Sequence, residues 1–301
     1  MRCWFLPPAQ LERCWCYFSP LKSCFPIKGD RFESAGPGRL FGGGSHPGQV
    51  NCHRLWIIMN TFLERYMHGE CEQVWDELYA QGDAIYQKAL LDDAVAVAKE
   101  TMLRVRNNIE RITTRLYSIG YAFGIYPDGQ TKIYGYTQPH HSPKINIEKE
   151  ISEFEQLEGV GKLPLSLKLF WQIVGDVDWM GYHPLWPAYS DPLVVYPIES
   201  VRSEYEDWRF LVNEGDVDVG QFGVPIAPDY FHKDNVSGGA PYTILVPNAA
   251  VDALLEYERH RTTFVNYLRI CFAHGGFPGV QWHTGDIPKI MAQLSDGLFP
   301  I

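Results

Sequence analysis

The sequence predicts an α+β fold, in which an antiparallel helical hairpin precedes a mainly antiparallel sheet flanked by helices. Three observations carry that prediction. From Asp93 to Ile119 the apolar residues Ala98, Met102, Val105, Ile109, Ile112, Leu116 and Ile119 recur at alternating steps of four and three, and Gly120 follows. That is the period of a long helix with one buried seam. The stretch Leu163–Tyr182, LPLSLKLFWQIVGDVDWMGY, begins with a helix-starting proline at 164 and keeps Leu167, Phe170, Trp171 and Val174 on one face. It stops at Gly175 and then alternates polar and apolar, as a half-buried strand does. Finally, Val224–Ala227 and Tyr242–Val246 are short apolar runs bounded by turn residues, which is the pattern of two strands.

In chain order, residues 1–58 stand apart. They hold five of the seven cysteines and the Gly/Pro-rich run GPGRLFGGGSHPG, and they lack a continuous apolar signal core. They read as a disordered or non-native extension, with translation expected to start at Met59. A first helix is expected from Met59 to about Gly82. Thr61 and Glu64 would form its capping box, with Leu63, Met67, Cys71, Val74 and Leu78 on one face. The seamed helix follows, and the short connection implies an antiparallel hairpin, or pairing of the Ala98–Ile119 seam between two chains. Its other face carries Lys99, Arg104, Arg106, Arg111 and Arg115. With Glu100 and Glu110 interleaved, that row reads as a solvated face.

Tyr121–Tyr136, with Pro127-Asp128-Gly129 at its turn, is expected to be a small hairpin completing a unit at 59–136. Residues 137–144 read as a linker to a second unit at 145–301. There Ile147, Ile151, Phe154 and Leu157 mark a helix with Glu148, Glu150, Glu153, Glu155 and Glu158 on its wet side. Leu193–Tyr196 is a strand, and Pro197 opens a helix that stops at NEGD, 213–216. Thr262 would cap a helix over Thr263–His274, and a short helix over about Ile287–Leu294 closes the sequence.

Composition limits the function. The 301 residues are 46% hydrophobic and 14% aromatic, ample for a core, and no apolar run reaches the ~18–20 residues of a membrane span. The net charge of −10 conceals a basic start. Residues 1–58 hold seven basic and three acidic residues, leaving 19 basic and 33 acidic from Met59 on, a net of −14. Such a body repels nucleic acid and suits a basic protein partner. Cys71 and Cys271 lack C-x-x-C partners, so no zinc or redox motif is read, and a cytoplasmic setting is expected.

Four pieces in this order resemble the SUKH superfamily, whose small α+β domains include toxin-immunity proteins and cell-wall regulators. They are the acidic helix leading to Leu163-Pro164, the helix running into Gly175, the strand pair Pro225-Ile226-Ala227-Pro228-Asp229 with Tyr242–Val246, and Thr263-Phe264-Val265. The resemblance covers about 145–301. Val174-Gly175-Asp176 replaces an Asn-Gly common in the family, and the loop between the paired strands is long. The resemblance implies a protein-binding domain with a twisted, mainly antiparallel sheet and no catalytic centre.

No P-loop, dinucleotide fingerprint, G-x-S-x-G or H-E-x-x-H occurs. No cofactor is therefore expected, and no metal, because the adjacent His140 and His141 sit in a Pro-rich loop. The candidate binding surface joins Trp179, Tyr182, Trp186 and Asp191 with the loop residues Asp229, His232 and Asp234. Aromatic residues of this kind dominate interaction hot spots. The alternative is a hydrolase or metal-binding protein in which Asp229, His232 and Asp234 act as base, orienting partner or ligands, with His183, His274 and His283 able to join them. A scaffold assembled through the seamed helix is the third reading.

Overall fold

The structure, a computed structural model, describes residues 61–215 and 220–301, so the expectations for 1–58 fall outside the described residues. Helix α1 (Phe62–Met67) opens with the expected capping box, the Thr61 hydroxyl accepting from Glu64 N–H and the Glu64 carboxylate from Thr61 N–H. Asp93 adds two more acceptors, for the N–H groups of Phe62 (2.6 Å) and Leu63 (3.1 Å). The single helix expected over Met59–Gly82 is two. Gly69, at φ +100°, breaks it, and α2 spans Cys71–Ala80. The break takes Met67 off the buried face, leaving it 56% exposed, while Cys71, Val74 and Leu78 stay buried.

Helix α3 (Lys88–Ser118) holds the expected seam. Ala98, Met102, Val105, Ile109, Ile112 and Leu116 are all 0% exposed. Helix α1 and helix α5 (Leu165–Ile173) of the same chain pack on α3, and Trp75 of α2 donates to its Thr101 hydroxyl at 3.0 Å. The seam is thus filled from within, which corrects the expectation that it could pair two chains. The basic row on the other face is also not simply solvated. Arg104, Arg111 and Arg115 donate to the carbonyls of Pro300 (3.0 Å), Gly297 (2.7 Å) and Leu294 (2.7 Å). Asn108, fully buried, holds both the N–H and the carbonyl of Phe299.

The strands form three antiparallel pairs. β1 (Ala122–Phe123) pairs with β3 (Gly181–Tyr182), β2 (Val177–Asp178) with β4 (Val194–Val195), and β5 (Gly223–Ala227) with β6 (Tyr242–Leu245). Tyr196 N–H donates to Ile226 carbonyl at 2.8 Å and so joins the end of β4 to β5. The architecture is mixed helix and small antiparallel sheets. The expected small hairpin within Tyr121–Tyr136 is present. Ile125 and Lys132 form an antiparallel bridge, Tyr126 N–H donates to Thr131 carbonyl and Ile133 N–H to Gly124 carbonyl (both 2.8 Å), and Asp128 accepts from Gln130 and Thr131 N–H at the turn. At its start, β1 also pairs with a strand some sixty residues later.

Residues 137–144, expected as a linker, lie along β2. Asp178 N–H donates to Pro139 carbonyl (2.9 Å), and Asp176 Oδ1 accepts from His141 N–H (3.0 Å). Asn60–Ile301 cluster as one compact unit. Helix α4 (Ile147–Glu155) and helix α6 (Ile198–Glu214) pack on each other, and α6 ends on left-handed Gly215. Helix α7 (Tyr230–Lys233) occupies the loop between β5 and β6. The cap residue of α8 (Phe264–Ala273) is Thr263 rather than Thr262, and α9 spans Lys289–Gln293. Among the described residues no helix is long and apolar enough to cross a membrane.

Gly175 and Gly215 both have positive φ, but only Gly175 is crowded: a Cβ there would lie 2.1 Å from His141 carbonyl, whereas at Gly215 it would meet nothing within 4 Å. Gly215→Ala should therefore cost only the left-handed penalty of ~1–2 kcal/mol. Gly175→Ala must also push away the 139–142 segment and should cost at least twice as much in urea unfolding. Equal losses would contradict this packing.

Candidate functional site

Asp229 leaves β5 as the N-cap of α7, its Oδ1 accepting from Phe231 N–H at 2.8 Å. Its Oδ2 hydrogen-bonds the His232 ring. Burial alone would raise this carboxyl, but the His232 bond and charge, with the backbone donors, outweigh it and hold the carboxyl below the usual range. The next residue, Lys233, is buried and runs back to Asp191 at 2.5 Å, and Tyr242 hydroxyl donates to the other Asp191 oxygen at 2.9 Å. Asp234 accepts from Tyr189 N–H at 2.8 Å, and burial, aided by the nearby Asp191 charge, pushes it up to about 6.

These contacts correct the expected surface. Trp179 is 0% exposed, with its indole N–H donating to Thr113 hydroxyl (3.0 Å), so it is a core residue. Asp191 and Asp229 are also buried. Trp186 is half-buried, its ring 4.5 Å from His183 and 5.5 Å from Phe277, because the turn folds it back into the aromatic core. Tyr182 is half-buried over Gly129. The seven residues thus form no continuous outer face.

The Asp229–His232 pair has the geometry of a base and its orienting carboxylate. Asp234 and Asp191 are engaged elsewhere, and among the described residues no group of three His, Cys, Asp or Glu side chains converges as a metal site. His140 bonds Val174 carbonyl (2.9 Å) and His141 bonds Asp176 (2.9 Å), so the adjacent histidines are used separately.

Two other features were not read from the sequence. A cavity of about 660 Å³ is walled by the 254–261 segment and Trp282. Arg259 lies between two rings there, its guanidinium carbon 3.7 Å from the Trp282 centroid and 4.4 Å from that of Tyr230. Tyr230 is the first residue of α7, so the rim of the cavity meets the Asp229–Asp234 loop. Glu258, buried, bonds His260 N–H (2.8 Å) and its ring (2.5 Å), and that ring packs 4.5 Å from Trp282.

The second feature is the α4/α6 face. Tyr205 hydroxyl and Arg209 bind the carbonyl and carboxylate of Glu158 (2.8 and 2.7 Å), which ties α6 to the turn that follows α4. Glu148, Glu153, Glu206, Asp207 and Glu214 are exposed around them, with Phe210 62% exposed. Glu204 is half-buried. Burial, with the like charge of Asp207, pushes it up to about 7.

Two measurements test this electrostatic arrangement. Lys233→Met leaves Asp191 charged and unpaired in the core and should cost ~3–5 kcal/mol. Adding Asp191→Asn should restore most of that loss, because no isolated charge remains. Separately, Asp178 and Asp234 at about 6, and Glu204 at about 7, are raised above their unfolded values. Their contribution to stability is complete below about pH 4 and is lost as pH rises through 6 to 7. Glu204→Gln should flatten the upper part of that decline, and an unchanged pH profile would show that Glu204 is not the group titrating.

Comparison of the chain with protein-family models, with curated proteins and with solved structures finds no match.

Proposed function

We propose that this protein is a non-enzymatic recognition domain, SUKH-like over 145–301, that binds a basic protein partner, as an immunity or regulatory protein does. The observation that carries the reading is the α4/α6 face. There Glu206, Asp207 and Glu214 lie within about one helical turn of exposed Phe210 on α6, and Glu148 and Glu153 are exposed on α4, where Lys149 and Arg202 pair with Glu153. An exposed aromatic residue on a face where carboxylates outnumber cations suits a basic partner, since the charge sets orientation and on-rate while the ring supplies buried area. The net −14 from Met59 on adds a long-range field of the same sign.

A second reading, a hydrolase or metal protein built on Asp229, His232 and Asp234, has the Asp229–His232 hydrogen bond in its favour. Metal analysis of the purified protein and an activity screen comparing wild type with His232→Ala separate the two. Activity or bound metal lost in that variant would displace the recognition reading.

For the lead reading, tagged protein should capture a basic protein from native lysate at low salt. The double variant Glu206→Lys/Asp207→Lys should lose at least ten-fold of it, with an unchanged circular dichroism spectrum. Capture that survives both the charge reversal and 0.5 M salt, or that never occurs, contradicts an acidic docking face.

A further inference from the structure

The cavity beside the 254–261 segment presents cations in a chain otherwise rich in carboxylates. Its wall holds Leu254, Leu255, Tyr257 and Trp282 with two arginines, Arg259 and Arg261, and two glutamates, Glu256 and the buried Glu258. Its volume, about 660 Å³, falls within the ~300–1,000 Å³ range of small-molecule sites. Arg259 is half-buried, and among the described residues neither its guanidinium nor that of Arg261 has a carboxylate or carbonyl partner. This is the reverse of α3, where Arg104, Arg111 and Arg115 each donate to a carbonyl of 294–300.

Arg259 is also held in place. Stacking between Trp282 and Tyr230 fixes the guanidinium while leaving its in-plane N–H donors open, the arrangement that grips a planar or tetrahedral oxyanion with two parallel hydrogen bonds. Trp282 is itself braced by the His260 ring. His260 is tied to Glu258 on one side and to Gln281 Nε2 (2.9 Å) on the other. The buried Glu258 carboxylate is hydrogen-bonded to His260 and makes no direct contact with Arg259 among the described bonds. The exposed Tyr257 and Leu254 supply apolar wall, and Glu256 contributes one carboxylate. A polyanion would meet that carboxylate; a ligand with a single anionic group would not need to.

We propose that this cavity is a binding site for a small molecule carrying one terminal oxyanion, carboxylate or phosphate, on an apolar or aromatic body. Arg259 takes the oxyanion in bidentate fashion, with Arg261 as the second cation, and the body lies against Tyr257 and Leu254. The site lies apart from the α4/α6 face and stands whether or not that face binds a protein.

Titration of the full chain by calorimetry and by ¹⁵N–¹H spectra with three probes tests it: inorganic phosphate, AMP and benzoate. Saturable binding of AMP or benzoate is expected, with the Trp282 indole N–H shifting most and inorganic phosphate, lacking the body, binding at least ten-fold more weakly. Which organic probe binds more tightly distinguishes a phosphate from a carboxylate ligand. Arg259→Gln should weaken binding at least ten-fold, Arg259→Lys, which keeps charge but loses the fork, at least three-fold, and Arg106→Gln on the exposed face of α3 not at all. If Arg259→Gln fails to fold, Arg259→Lys and Arg261→Gln carry the comparison. No saturable binding of any probe at millimolar concentration, or equal binding by the Arg259 and Arg106 variants, overturns the proposal.

Discussion

The structure depends on a helix that is covered on two sides. At ~1.5 Å per residue, the 31 residues of α3 span roughly 46 Å, longer than a small domain needs for one packed face. Its seam is packed by α1 and α5, with Trp75 of α2 bonded to Thr101 beside it. The flank next to the seam is covered by the segment 294–300, drawn on by arginine-to-carbonyl bonds and by the two-way Asn108–Phe299 contact, while the side opposite the seam, with Leu103, Asn107, Glu110 and Thr114, is exposed. Hydrogen bonds from a charged donor contribute ~1.5–3 kcal/mol each, more than neutral ones. Arg111 also stacks 4.5 Å over Phe299, so its stem and charge both serve the same contact. Removing that segment would expose a polar stripe that has no water-facing design of its own, and Asn108 would be left buried beside an empty groove.

The sheets cannot take over this role. Their strands are two to five residues long, and isolated two-stranded ribbons are marginal in water. Side-chain ties bridge the gaps instead. Asp252, buried, accepts from Ser166 hydroxyl (2.7 Å) at the start of α5 and from Val265 N–H (3.1 Å) at the start of α8, holding two helix N-termini with one carboxylate. Burial still raises the Asp252 carboxyl above its ordinary value despite those donors. Asp191, Lys233 and Tyr242 form the corresponding tie between the aromatic turn, α7 and β6. Each tie includes a contact between residues 42 or more positions apart, so each closes a long loop that the short ladders alone would hold weakly.

How far the sequence was legible follows from the range of each interaction. Periodicity is local, and the seam of α3, the stop at Gly175 and the Thr61–Glu64 box were readable because each is settled within a few residues. The Asp229–His232 contact was readable for the same reason, being three residues apart on a capped turn. The hairpin around Pro127-Asp128-Gly129 was readable too, but the pairing of β1 with β3 was not, since that strand lies some sixty residues away. Nor could the arginine row be read correctly: the i,i+4 pair Glu100–Arg104 does form, but Arg104 also reaches Pro300, and nothing near it in sequence points there. The cavity needed Tyr230, Arg259 and Trp282 together, each on a separate segment. Trp179 and Asp191 went the other way. A Trp/Tyr-rich loop looks like an interface until packing shows which rings face inward.

Charge placement separates the two surfaces that remain. The acidic face acts over distance, so it favours encounter with a cation and weakens as salt screens it beyond ~8 Å. The same field repels a free anion approaching Arg259. An anionic ligand must therefore be kept by contact rather than by steering. Stacking of Arg259 on Trp282 and Tyr230 meets that demand, because a fixed guanidinium loses little side-chain freedom on binding. Added salt then has opposite effects at the two places: it weakens attraction at α4/α6 while lowering the repulsion an anion must cross to reach the cavity. An acidic body and a cationic pocket are thus compatible in one chain, since the first works through the field and the second through geometry.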